Sequence, residues 1–238
     1  MLWYKAWMET RSRFLISLLG IVALCSFSVY HGDKEALSYT GPAYFYQVLH
    51  GAHFALCSMW VLAVTLLTMG GLLREKAVGT ASFTLSLPVS RARLMSVRIC
   101  VGVIQALLLA IVPWSAMFVI ASVAGKTHSL SQAGFHLVLL LGGGFLFFAM
   151  ALLVSSLVEG EYTAPVVSCG VTFAMTVLLV DGSLRSYNPF AFINGVEYFD
   201  RHTGLLTGPI PWAHATISWV VAALLVWASV KVMQRREF

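Results

Sequence analysis

His31, His50 and His53 crowd the stretch between the first two apolar runs, and imidazoles are the side chains best suited to move protons or ligate metals near neutral pH. They come without a convincing ligand set, so no metal centre is expected. His136 and His214 fall near the ends of apolar runs, where interfacial positions are expected. Cys25, Cys57, Cys100 and Cys169 each sit inside an apolar run without CxxC spacing, and none is read as having a histidine partner; they are expected to be small buried hydrophobes. Glu159 and Glu161 in "VEGEYTAP" lie in a short turn and read as solvated or as a partner contact. The sequence contains no GxSxG elbow, no HExxH helix and no GxxxxGK[ST] loop. The "GGG" at Gly142–Gly144 lies inside an apolar run, where small residues permit close helix packing. The chain is therefore not expected to be an enzyme or to bind a cofactor or metal. Any ATP chemistry must come from another polypeptide.

The elements that position these residues are set by composition. Of 238 residues, 59% are hydrophobic and 11% charged, against about 25% charged in soluble domains. This is the composition of an integral membrane protein. The net charge of +5 is dispersed between apolar runs and forms no continuous basic surface, so nucleic acid is not an expected partner.

A hydrocarbon core of about 30 Å needs roughly 20 apolar residues in a helix. Six spans are predicted, at Phe14–Tyr30, Phe54–Leu73, Ile99–Ala124, His136–Leu157, Ala164–Val180 and Trp212–Met233. The first has no convincing cleavage site and reads as a retained span. Lys5, Arg11 and Arg13, then Arg74, Lys76, Arg91, Arg93 and Arg98, then Lys231, Arg235 and Arg236 fall on one side, while only Lys34, Lys126, Arg185 and Arg201 fall on the other. The positive-inside rule puts both termini in the cytoplasm. Over residues 1–13, Trp3, Ala6, Trp7 and Phe14 share one side of a helical wheel opposite Lys5 and Glu9, which predicts a short interfacial helix before the chain turns into the bilayer. The expected fold class is all-α: one polytopic membrane domain over 1–238. No Asp, Glu, Lys or Arg lies in the middle of a span, which argues against self-contained ion coupling.

The first cytoplasmic loop, residues 74–98, is the most densely charged stretch. Within "GTASFTLSLPVSR", helical spacing puts Phe83 and Leu87 together with Thr80 beside them, and Ala81 and Leu85 on nearly the opposite side. Two apolar stripes suit a helix sandwiched between its own membrane domain and a second protein. The same residues alternate with period two, so a strand stays open. Pro88 ends the segment, and Ser90 can cap the helix leading into the third span.

"LREKAVGTASFTLSLPVSRARLMSVR" closely resembles the permease signature of the ATP-binding cassette type-2 family. There a Glu-basic-x-x-Gly-Thr run leads into a Leu-rich helix and then Leu-Pro-x-Ser-Arg. Glu75, Gly79, Thr80, Pro88, Ser90 and Arg91 match position by position, and "ASF" is a more apolar variant after the Gly-Thr pair. The resemblance implies a coupling helix at Gly79–Leu87 that docks on a cytoplasmic ATP-binding subunit, with Phe83 and Leu87, or else Ala81 and Leu85, as docking knobs. It also implies two such cassettes carrying ATP and Mg, a second permease subunit, identical or homologous, and a bacterial-type inner membrane. The uncharged spans point to a hydrophobic or amphiphilic cargo. The extracytoplasmic segment 181–211 fits the family's short helices between the last two spans; there Phe190, Phe192, Tyr198 and Phe199 are expected to form either a gate in the outer leaflet or a packed cap. The rival expectation is a membrane scaffold or sensor that docks a cytoplasmic partner without transport.

Overall fold

The structure is a computed structural model, which describes residues 2–35, 42–68, 90–123, 130–158, 163–179, 187–195, 197–198 and 210–235. All regular secondary structure among the described residues is helical: α1 (Leu2–Glu35), α2 (Pro42–Leu67), α3 (Arg91–Val123), α4 (Leu130–Leu157), α5 (Thr163–Leu178), α6 (Pro189–Asn194) and α7 (Trp212–Arg235). Among the described residues, four helical stretches are long and apolar enough to cross a membrane: Leu2–His31, Arg91–Val123, Ala133–Leu157 and Trp212–Arg235. Gly51–Leu67 and Thr163–Leu178 are shorter apolar helices.

The first 13 residues are not a separate helix. Leu2–Glu35 runs unbroken for 34 residues, about 51 Å at 1.5 Å per residue. Two causes are visible. No Gly or Pro occurs before Gly20, and one buried stripe, Ala6, Thr10, Phe14, Ile21, Cys25 and Val29, continues along the whole helix at intervals of four or seven. Trp3 and Trp7, expected on the same side as Ala6 and Phe14, are instead exposed.

Two other boundaries move. The second helix begins at Pro42, where proline suits the first turn, rather than at Phe54. The fourth begins at Leu130 rather than His136. Both shifts carry histidines from expected margins into the bundle. Arg91–Arg98, read as the end of the loop, are the first two turns of α3.

The bundle is built around α4, which packs against α2, α3, α5, α6 and α7, while α1 lies against α2 and α3. The glycine run explains why so many helices meet there. A Cβ at Gly144 would lie 2.7 Å from the Trp60 ring, one at Gly143 would lie 2.6 Å from Phe192 Cδ1, and one at Gly142 would lie 3.2 Å from the Ala215 Cβ. Three consecutive positions thus receive α2, α6 and α7, with Gly143 and Gly144 too close for any side chain and Gly142 in tight contact, which is the use of small residues in helix packing within a bilayer. Trp60 is wholly buried, and its Nε1 donates to the Ala106 carbonyl of α3 at 2.9 Å. Away from these contacts α7 exposes Ile217, Val220, Leu224 and Trp227, an apolar face suited to lipid.

Candidate functional site

Two regions bring together residues able to do more than fill space, at opposite ends of the bundle. The loop end lies where α1 begins and where the chain enters α3. Ser90 has the N-cap position of α3, and its Oγ accepts from the Arg93 backbone N–H at 3.3 Å. Arg91 and Arg93 occupy the first turn, partly and largely exposed. Two turns in, Arg98 reaches Glu9 of α1 at 3.6 Å, and Lys5 lies 3.9 Å from the same carboxylate group. Two turns deeper, Gln105 is wholly buried and its Nε2 donates to Thr10 Oγ1 at 2.8 Å, while Thr10 Oγ1 donates to the Ala6 carbonyl at 3.1 Å. The first half of α3 is therefore joined to α1 by an ion pair and a buried hydrogen bond. Glu75, Gly79, Thr80, Phe83, Leu87 and Pro88 lie outside the described residues, as do Ala81, Leu85, Glu159 and Glu161.

The cap end is organised by α6. Asn188 precedes it with extended backbone, and its Oδ1 accepts from the Phe190 and Ala191 N–H groups at 2.9 and 3.2 Å. Pro189 starts the helix, and Gly195 ends it at φ 70, a left-handed conformation that favours glycine. Asn188 Nδ2 also donates to the Thr176 carbonyl at 3.2 Å, which ties α6 to the end of α5.

Of the four aromatic residues singled out in this segment, three are described. Phe192 is 7% exposed and seated against Gly142 and Gly143. Tyr198 meets it edge to face at 6.2 Å, and His214 of α7 stacks on it at 6.0 Å. Phe190 meets Phe54 of α2 edge to face at 5.9 Å. Burial, with the Glu197 carboxylate adding to it, raises the Tyr198 phenol above its ordinary range. Phe199 lies outside the described residues. Beside this cluster, Leu146, Tyr187, Asn188, Phe192, His214 and Ser218 line part of a crevice of about 110 Å³.

Beneath the cap is a constellation that the sequence reading missed. His53, expected in a loop, is wholly buried in α2, and its Nε2 lies 2.9 Å from the Ile193 carbonyl of α6. Cys57, one turn further along α2, has Sγ 3.3 Å from His53 Nε2 and 3.5 Å from the same carbonyl, so this cysteine does have a histidine partner. His136 is 5% exposed, with its ring 4.6 Å from that of His53 and 5.1 Å from that of Trp114. The signal was present as the i, i+4 spacing of His53 and Cys57 within an apolar helix, a spacing that puts both on one face. A helix begun at Phe54 leaves His53 outside and hides that spacing. Among the described residues, no group of three or more His, Cys, Asp or Glu is arranged to hold a metal ion.

The two ends differ chemically. The loop end offers charged side chains, partly exposed, at the entry to a helix. The cap end offers neutral donors and acceptors enclosed in apolar packing, suited to holding a small element shut. Compared with known proteins, the chain matches no family model and no curated protein.

Proposed function

We propose that this chain is the membrane-spanning permease subunit of an ATP-driven exporter of the ATP-binding cassette type-2 kind. The observation that carries the reading is the run from Glu75 to Arg91, whose Gly-Thr, Leu-Pro and Ser-Arg elements resemble that family's signature and whose last residues open α3. The links at the base of α3 support it. A push delivered at Ser90 and Arg91 passes through Arg98–Glu9 and Gln105–Thr10 into α1, so two helices shift together.

On this reading, six helices cross a bacterial-type inner membrane with both termini cytoplasmic. The four long apolar helices and the two shorter ones are the material for them. The segment Gly79–Leu87 is the coupling helix, and two cytoplasmic cassettes, which hold ATP and Mg, dock on it in the two halves of a permease pair. Closure of the cassettes on ATP switches the pathway between its two openings. The cargo is hydrophobic or amphiphilic: among the described residues no buried side chain carries a carboxylate, an ammonium or a guanidinium.

Co-purification with the candidate cassette subunit tests this, with and without Phe83→Asp plus Leu87→Asp. The expected result is a complex that the double variant loses while its helix content by circular dichroism is unchanged. No complex with any cassette would overturn the reading. A complex whose ATPase ignores every apolar cargo would favour a scaffold instead.

A further inference from the structure

Two buried imidazoles, His53 and His136, meet edge to face inside the bundle, 4.6 Å between ring centroids. Their surroundings are specific. The Ile193 carbonyl that faces His53 Nε2 belongs to the last turn of α6, where helix carbonyls lack partners of their own. His53 therefore carries a hydrogen on Nε2 and donates it there, with the Cys57 thiol donating to the same oxygen. Two α2 side chains thus close the end of α6 from below, while the ring of His136 braces His53 from α4.

The groups placed around the pair come from α1, α2, α3 and α6. Cys57 stands beside His53 on α2, with Cys25 of α1 behind it. Trp114 approaches from α3, and α6 presents the Ile193 carbonyl. Trp114 Nε1 and Asn194 Oδ1, one donor and one acceptor, are buried without a hydrogen-bond partner, so polar capacity exists for water to enter when the packing loosens. None of the buried side chains among the described residues supplies a negative charge.

We propose that His53 and His136 form a proton-binding site that sets the docking of α6. With both rings neutral, His53 holds the Ile193 carbonyl and Phe192 stays seated against Gly142 and Gly143. A first proton on His53 leaves its Nε2–H donating to the Ile193 carbonyl, but a second, on His136, sets two cations about one ring-width apart in apolar packing. That repulsion is relieved when α6 lifts and water reaches the imidazoles. No bond is made or broken beyond the transfer of the proton from solvent to imidazole nitrogen. The inference does not depend on transport, since it concerns only how α2, α4 and α6 close on one another.

Accessibility of Cys57 reads the docked state, because its thiol shares the carbonyl with His53. The test uses the full chain in detergent with Cys25→Ala, Cys100→Ala and Cys169→Ala, leaving Cys57 as the one thiol. Alkylation by N-ethylmaleimide is measured at each pH as a ratio to the same chain denatured in sodium dodecyl sulfate, which cancels the intrinsic effect of pH on thiol reactivity. The expected ratio rises about tenfold between about pH 7.5 and about pH 5. It stays flat in a further variant with His53→Gln plus His136→Phe, which keeps a donor and an aromatic ring but no imidazole. A flat profile with both histidines in place overturns the proposal, as does an equal rise in the double variant. If the double variant labels at the denatured rate at both pH values, His136→Phe alone decides: loss of the rise supports the site and retention overturns it.

Discussion

The loop end and the cap end of the bundle are held by opposite means. At the loop end Glu9, Lys5 and Arg98 remain partly exposed, and the long α1 and α3 helices are joined by charge and one buried amide. At the cap end a six-residue helix is held by neutral hydrogen bonds and by glycines that let Phe192 and Ile193 reach the α4 backbone. Partly exposed ion pairs contribute little and respond to salt, whereas close packing against glycine tolerates almost no displacement. The first arrangement yields gradually and the second holds or releases as a unit.

The largest test of the contrast is Trp60→Ala, which removes a wholly buried ring and its bond to Ala106. It should cost about 3–5 kcal/mol in denaturation measured in micelles. A cost near that of a surface substitution would mean that the cap-end packing is not what holds α2 to α3 and α4. Gly143→Ala comes next, at about 1–3 kcal/mol, because the new methyl meets Phe192 and Ile193. Gly20→Ala is its control: nothing lies within 4 Å, so it should be neutral or slightly stabilising. Equal effects at the two glycines would erase the distinction drawn from packing.

At the loop end, Gln105→Leu should cost only about 1 kcal/mol, the scale of interhelical hydrogen bonds in membranes. Glu9→Gln should cost about 0.5 kcal/mol or less, an effect that shrinks in high salt. If either exceeded Gly143→Ala in the same assay, the ranking of the two ends would be reversed. The smallest signal is spectroscopic. The Tyr198 phenol should titrate above the ordinary tyrosine range, and Glu197→Gln should bring it only partly back, because burial is the larger cause. A phenol raised in the fold keeps its contribution below the unfolded tyrosine value of about 10 and loses it as pH rises toward the folded one, so cap stability should fall only on the alkaline side.

Much of the helical architecture was legible. Long apolar runs announce membrane helices by composition, Ser90 was recognisable as a cap from its place before Arg91, and the glycine run was readable as a close-packing site. Three other things were less so. The unbroken α1 was hidden because Trp3 and Trp7 mimic an interfacial anchor, while the decisive stripe through Ala6, Thr10 and Phe14 needs α3 for its meaning. The histidine pair was hidden because hydropathy trims helix ends at polar residues, and His53 and His136 are polar residues with partners only in three dimensions. The Arg98–Glu9 pair joins positions far apart in sequence, and no local pattern selects it among the available charges.

The glycine face of α4 also dictates an order of assembly. Trp60 has already been synthesised when Gly144 leaves the ribosome, but Phe192 and Ala215, the neighbours of Gly143 and Gly142, are still untranslated. For that interval α4 is sealed on one side and grooved on the other. Until its C-terminal helix arrives the nascent protein can cover that groove only with lipid, so a chain truncated before α7 should be less stable than its number of completed helices suggests.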